Sequence, residues 1–366
     1  MNERYNFTPA IVRDLMDIES ARQIVKLTVL PPHVAERLRQ QARVRSTHYS
    51  TRIEGNRLTL AEAEQVVIDG KRFAGRERDV REVQNYYRAL QQVEEWAAKQ
   101  TPIKDELIRR LHALIYSGAR SKPTPYRDGQ NIIRDLASGA VIYLPPSAED
   151  VSGLMSDLVD WIGQSERENL PVPIIAGLAH YQFLTVHPFF DGNGRTARAL
   201  ATLLLYRHSF DLGRFYSLEE VYAQDLTAYY AALQTHPHHN YYEGRVEADL
   251  TGWVAYFTHS MALVFKRVAD EVRAQVAQPG VPEPPELRRL DRRARLALGL
   301  FTRQETVTNA EVTQALGLSP RTVRDLIGGW LADGWLEIAD PARKSRRYRL
   351  SAKYRRAKRI GEITAE

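Results

Sequence analysis

His187-Pro188-Phe189-Phe190-Asp191-Gly192-Asn193-Gly194-Arg195-Thr196-Ala197-Arg198 brings a base, an acid, a glycine-flanked amide and two arginines into one short run that leads into the apolar residues 199–206. Glycine permits positive φ and lets a ligand come close to the backbone. Successive free amides at a helix start bind anions through their N–H groups and the helix dipole. Gly192-Asn193-Gly194 before a helical run fits that role, and fits equally an ordinary loop before a helix. Arg195 and Arg198 are three apart on the first turn and face roughly the same side. Paired guanidiniums suit a polyphosphate, or else form structural ion pairs. A carboxylate at Asp191 would repel phosphate unless a cation such as Mg²⁺ lay between them; its other reading is a helix cap. His187 titrates near neutrality and can take a proton from a hydroxyl. Phe189 anchors the loop in the core. The inventory fits a nucleoside triphosphate and a nucleophile that must lose its proton.

The chain has 366 residues, enough for two or three domains with a substantial core. It has no cysteine, which excludes disulfides and cysteine-based zinc sites and fits a reducing compartment. The first residues lack the apolar run of a signal peptide, and no stretch has the roughly 18 apolar residues of a membrane helix. A cytoplasmic protein without membrane contact is expected. The net charge of +6 is unevenly placed. Residues 287–366 carry 18 Lys/Arg against 9 Asp/Glu, whereas residues 1–286 carry 33 against 36. The basic C-terminal segment fits a nucleic-acid contact or simply a solvated surface.

Residues 277–286, with four prolines and one glycine, cannot continue a helix and read as a connector. Before it, helical periodicity dominates. Residues 31–48 form a helix followed by a helical turn over 50–54, with Gly55-Asn56 as the stop. Thr59-Leu60-Ala61-Glu62 has capping-box spacing and opens a helix that closes near Gly70. Further helices are expected over 79–98, 104–116, 149–163, 173–186, 195–207, 218–234 and 251–277. Residues 126–143 break the rhythm, with two β-prone runs, 132–133 and 140–143, around Ser138-Gly139, a β-hairpin. After the connector, helices are expected over 287–303, over 308–316, and from Ser319-Pro320, an N-cap with proline at the first helical position. Two β-like runs, 335–338 and 347–350, flank the basic tip Arg343-Lys344-Ser345-Arg346.

Eight residues of the opening stretch match His-x-Phe-x-Asp-Gly-Asn-Gly-Arg-x-x-Arg, the signature of Fic-domain enzymes, which this chain resembles over roughly residues 40–275. At about 5% usage per residue type, a chance match is on the order of 10⁻¹⁰ per start position. The resemblance implies a mainly α fold with a small β-hairpin flap that holds a target segment. It also implies transfer of AMP from ATP to a Ser, Thr or Tyr hydroxyl of a target protein, with the chain itself as a possible acceptor. Carried over, His187 is the general base and Asp191 the Mg²⁺ ligand. Gly192, Asn193 and Gly194 form the anion hole, and Arg195 and Arg198 bind the β- and γ-phosphates. Tyr229, Tyr230 and Leu233 fall where the family lines its adenine pocket, the following run 236–242 being longer than in the simplest members. A relative that phosphorylates its target has lysine in place of Gly194, so the glycine favours AMP transfer.

Ser50-Thr51-Arg52-Ile53-Glu54-Gly55 resembles the family's inhibitory sequence, Ser/Thr-x-x-x-Glu-Gly/Asn. The resemblance implies that Ser50, Glu54 and Gly55 form a helix end that sets the Glu54 carboxylate against Arg198, where the γ-phosphate would bind. Glu54 could alternatively align a water that removes AMP. Gly55 also reads simply as a helix stop.

The expected organisation is a helical region over 1–100 with the inhibitory helix, a Fic core over 101–276, the connector over 277–286, and residues 287–366. The last segment resembles a winged helix-turn-helix domain. Arg321 and Arg324 would lie on its recognition helix, and Arg343, Lys344, Arg346 and Arg347 on its wing. Such domains bind DNA, dock proteins or form homodimers. Two functions follow: a restrained AMP-transferase, or a DNA-binding regulator whose Fic domain senses nucleotide or also removes AMP.

Overall fold

The computed structural model describes all residues except 1–3, 29, 119–121, 135–138, 140, 236–237, 239, 245–247, 278–289, 303, 317, 343–345 and 356–366. The chain divides into two compact units. One comprises Met1–Thr28 and Leu38–Asp270, the other Val29–Arg37 and Glu271–Glu366.

In the first unit, α1 (Pro9–Leu27) is opened by Thr8, whose side chain accepts from Ile11 N, with proline at N1. It buries Ile11, Asp14, Ile18, Ala21 and Val25, one stripe of a helix. α2 (Pro32–Ile53) runs unbroken through the stretch where the sequence predicts a separate turn. The Thr51 hydroxyl donates back to Thr47 O and His48 O within this helix, and Thr47, Ser50 and Thr51 are fully buried. Tertiary packing thus carries the helix through residues of modest propensity. Gly55, at φ +90, turns the chain out of it. α3 (Leu60–Ile68) has the expected capping box: Glu62 N donates to Thr59 Oγ1 and Thr59 N to Glu62 Oε2. Thr59→Ala should lower stability by about 1 kcal/mol, read as a shift in the denaturant midpoint with unchanged slope.

α4 (Glu77–Ala98), α5 (Asp105–Ser117), the strands β1 (Ile133–Arg134) and β2 (Val141–Tyr143), and α6 (Ala148–Arg167) follow. β1 and β2 pair antiparallel, Ile133 with Tyr143 and Arg134 with Val141, and form the expected small hairpin. α7 (Val172–Val186) and α8 (Asn193–Arg207) are buried on nearly every side. Such helices belong at a core centre, and α4, α5 and α6 pack around the α7–α8 pair. The predicted helix over 218–234 is two, α9 (Leu218–Gln224) and α10 (Leu226–Leu233). Asp225 leaves helical geometry between them and caps α10 by accepting from Ala228 N. α11 (Thr251–Ala277) closes the set. A Cβ on Gly177 would stand 3.0 Å from the Phe257 ring, so this glycine lets α7 and α11 approach, and Trp253 Nε1 donates to Gly177 O at 2.7 Å.

The second unit contains α12 (Arg292–Leu298), a short 3₁₀ turn Gly299–Thr302, β3 (Val307–Thr308), α13 (Asn309–Leu316), α14 (Pro320–Ala332), β4 (Leu336–Asp340) and β5 (Arg347–Leu350). The strands form an antiparallel sheet in the order β3-β5-β4, one strand more than the sequence pattern shows. Val323, Ile327, Trp330, Trp335 and Tyr348 are among its core residues. Thr308 and Glu311 cap α13 reciprocally, and Ser319 Oγ accepts from Thr322 N at the start of α14. The connector from 278 onward and the tip residues Arg343, Lys344 and Ser345 lie outside the described residues. Among the described residues no helix is long and apolar enough to cross a membrane.

Candidate active site

His187 ends α7 in left-handed geometry, φ 50 and ψ 60, which L-residues adopt only when their surroundings hold them there. Its N–H donates to Phe183 O at 3.0 Å. Its carbonyl accepts from Arg127 Nε at 3.0 Å. Nδ1 lies 3.3 Å from Leu184 O. A carbonyl only accepts, so Nδ1 carries the proton and Nε2 keeps its lone pair. Burial pushes the imidazole down to about 4, partly countered by the Leu184 carbonyl. The ring is therefore neutral at pH 7 and able to accept a proton at Nε2.

The loop after it is fixed from several sides. The Asn193 side chain accepts from Phe189 N and donates to Phe189 O, at 3.0 and 2.7 Å. Its amide is thus a buried staple, and only its backbone is available to an anion. Gly192 takes φ +80, and its N–H donates to Asp191 Oδ1 at 2.5 Å. The first helical bond of α8 is Thr196 N to Gly192 O, so the N–H groups of Asn193, Gly194 and Arg195 precede the ladder. Below the loop, the His112 ring of α5 stacks on Phe189 with centroids 3.7 Å apart, and its Nε2 lies 2.8 Å from Asp191 O.

A cavity of about 580 Å³ opens beside these residues. Among its lining residues are Glu54, His187, Gly194, Arg198, Tyr229 and Tyr230. The flap contributes Ile133, Arg134, Ile142 and Tyr143, and Leu233 from α10 also lines it. Its volume lies in the range of small-molecule sites. Tyr229 is buried and Tyr230 half exposed.

Arg198 is buried and hydrogen-bonded three times to one segment: Nε to Ser50 Oγ at 2.9 Å, Nη2 to Ser50 O at 2.8 Å, and Nη2 to Glu54 Oε1 at 2.7 Å. Burial works against its charge, but the Glu54 carboxylate, together with the hydroxyls of Tyr229 and Tyr86, more than offsets this and holds the guanidinium protonated. Glu54 also lies over the start of α8. A Cβ on Gly194 would overlap Glu54 Oε1 and come within 3.1 Å of Arg198 Nη1. The carboxylate thus fills the space where an anion would meet both the Gly194 backbone and Arg198.

Arg195 goes elsewhere. It is buried, does not line the cavity, and lies 3.8 Å from Glu82 on α4 and 3.4 Å from Asp191. Two arginines three apart on a helix share a side only approximately, and the partner on α4 draws Arg195 away. Asp191 is half exposed and also does not line the cavity. Among the described residues no three His, Cys, Asp or Glu side chains group as a metal site. A single carboxylate with one oxygen turned to Gly192 N and Arg195 still fits Mg²⁺, which keeps several waters and takes other ligands from phosphates.

Two further residues build the site without a local sequence signature. Arg127 is buried, and its guanidinium donates to the carbonyls of His187, Gly129 and Pro146. It ties both ends of the flap to the histidine. His112 occupies a core position on amphipathic α5, where a polar residue in an apolar stripe is the one available signal.

Three neutral imidazoles, those of buried His112 and His180 and of half-buried His187, have a consequence for stability. His112 and His187 are held near 4, and His180 is pushed down to about 3 by burial and then by Arg198. An unfolded imidazole titrates near 6.5, so below that pH the unfolded chain binds protons that the folded chain refuses. Stability is complete above about pH 6.5 and falls on acidification by about 1.4 kcal/mol per pH unit for each fully buried group. Urea midpoints between about pH 7 and pH 5 should show this slope, and His180→Gln should flatten it. Equal slopes in the two proteins would refute the assignment.

Residues 102–205 match the model of the Fic/DOC family, and this part of the chain is a Fic domain. By sequence it is similar to protein adenylyltransferase Fic of Drosophila willistoni, 26% identical over 203 residues, which are 54% of this chain and 39% of that protein. Protein adenylyltransferase Fic of Nematostella vectensis is 30% identical over 174 residues, 47% of this chain and 39% of that protein. The matched region thus spans about two fifths of the length of these curated relatives. Among solved structures, a Fic family protein from Desulfovibrio desulfuricans superposes with a TM-score of 0.59 at 29% identity, covering 96% of this chain and 99% of that one. A Fic domain containing signaling protein from Bacteroides thetaiotaomicron, at TM-score 0.58 and 21% identity over 71% of this chain and 97% of its own, shares the fold.

Proposed function

We propose that the chain is a restrained AMP-transferase that moves AMP from ATP to a hydroxyl of a target protein. The observation that carries this reading is the shared cavity: His187 with a free Nε2, the open amides of α8, and Arg198 held by Glu54. The adenylyltransferase names of the relatives support the same chemistry. ATP would lie with its base among Tyr229, Tyr230 and Leu233 and its distal phosphates over Gly194 toward Arg198. The acceptor hydroxyl attacks the α-phosphorus, its proton passes to His187 Nε2, and the bond to pyrophosphate breaks. Asp191 would hold Mg²⁺, which neutralises phosphate charge when bound. Arg195, tied to Asp191 and Glu82, orients that carboxylate instead of meeting phosphate itself. The β1–β2 hairpin would hold an extended target segment by strand addition. Glu54 restrains the reaction by occupying the phosphate position.

Transfer of label from α-³²P-ATP with Mg²⁺ tests this, with and without cell lysate. Label should appear with Glu54→Gly and vanish when His187→Ala is added. Folded protein that binds ATP but transfers nothing in any form would refute it.

A second reading concerns the C-terminal unit as a DNA-binding winged helix. Its support is α14, capped by Ser319, with Arg321 and Arg324 exposed near its start and Arg346 exposed before β5. Arg347 serves the sheet instead, with Nε donating to Thr306 Oγ1 at 2.7 Å. Duplex binding that weakens steeply with salt would support DNA contact, and no binding at low salt would favour protein docking.

A further inference from the structure

The imidazole of His112 is buried at 2% exposure, in a stack between Phe189 (centroids 3.7 Å, planes 15° apart) and Tyr116 (5.5 Å, 21°). Its Nε2 lies 2.8 Å from Asp191 O, an atom that can only accept, so Nε2 carries the ring's proton. Nδ1 has no hydrogen-bond partner among the described residues. The ring is thus neutral and makes one directed bond, to the backbone of the residue whose carboxylate faces outward. It also packs directly under the next residue: a Cβ on Gly192 would stand 3.1 Å from Nε2. Between them, the stack and the bond fix the peptide from Asp191 to Gly192. That peptide sets the left-handed turn at Gly192, the direction of the Asp191 side chain, and the aim of the amides that follow.

We infer that His112 is a positioning residue for the Mg²⁺–triphosphate seat, acting through the Asp191 carbonyl. This rests on the reading of the cavity as an ATP site. Apolar packing alone would be served by another aromatic ring. What histidine adds is a donor in the plane of the stack, aimed at a carbonyl that would otherwise be free to rotate with its loop. Phenylalanine at 112 would keep the stack and remove the donor. Glutamine would remove the ring and keep an N–H able to reach the same carbonyl.

The test is ATP binding by calorimetry to the full chain carrying Glu54→Gly and His187→Ala, which frees the seat and prevents turnover. ATP is titrated with Mg²⁺ and again with EDTA, alongside the melting temperature. Adding His112→Phe should weaken Mg²⁺-dependent binding by about tenfold, the worth of one directed hydrogen bond. Binding in EDTA should change much less, the melting temperature should stay within a few degrees, and His112→Gln should recover part of the affinity. Unchanged affinity with His112→Phe would overturn the inference. So would equal losses with Mg²⁺ and EDTA accompanied by a lower melting temperature, which would mark a packing role only. A parent protein that binds no ATP, or binds it without regard to Mg²⁺, would overturn the reading of the seat itself and this inference with it.

Discussion

Glu54→Gly should raise the affinity for ATP by roughly 10- to 150-fold and raise AMP incorporation at low ATP by a similar factor. The estimate follows from the contact that the nucleotide must displace. Arg198 Nη2 and Glu54 Oε1 are 2.7 Å apart, with the guanidinium at 2% exposure and the carboxylate at 29%. A hydrogen bond between charged groups in such a place is worth about 1.5–3 kcal/mol, and each 1.4 kcal/mol is a factor of ten in affinity. The substitution keeps the two Ser50 contacts to Arg198, so the arginine stays in place while its acidic partner leaves. Calorimetry with ATP and Mg²⁺ reads the effect directly. The same dissociation constant in wild type and variant would mean that Glu54 restrains nothing.

His187→Ala, placed in the Glu54→Gly background, should lower the rate of transfer by about 10²–10⁴-fold, the range for loss of a general base. ATP affinity should hardly change, because on the proposed reading the phosphates meet the start of α8 and Arg198 and not the imidazole. A fall in the rate constant with unchanged nucleotide binding separates proton removal from seating. The pH profile adds a second check. Burial holds the imidazole near 4, so it is already a free base through the neutral range. The rate should be flat from about pH 8 to pH 6 and fall only on approach to the imidazole's own value, as the protonated ring can no longer accept. An acidic limb centred near 6.5 would show an imidazole in contact with water.

The legible part of the site was the part whose chemistry is local. A base, an acid, two glycines and two arginines in one loop point to a candidate anion site because their expected functions act within a few residues of one another. Glu54 was legible only through a resemblance, since nothing in its spacing links it to Arg198, 144 positions along the chain. Arg195 shows the limit of the helical face argument. Its neighbour on the loop, Asp191, can be foreseen, but Glu82 on α4 enters only with the packing of α4 on α8. Arg127 was silent for a related reason: it serves backbone carbonyls, and carbonyls leave no pattern in a sequence. Most of the helices were legible from periodicity, whereas α1 and the breaks and continuities were not. Asp225 divides α9 from α10 with an ordinary cap, while α2 passes through Ser50 and Thr51 because burial holds it there. The stripe along α1 was present at helical spacing and shows how readily an element far from the signature is passed over.

The missing side chain at position 194 joins two properties that need not have been joined. The hydrogen there faces the Glu54 carboxylate at a distance no methyl group could share. Any side chain at 194 would displace the Glu54 carboxylate and crowd Arg198 in one step, which on the proposed reading disturbs the phosphate position and its block together. On the proposed reading, one position therefore governs both the chemistry and its restraint.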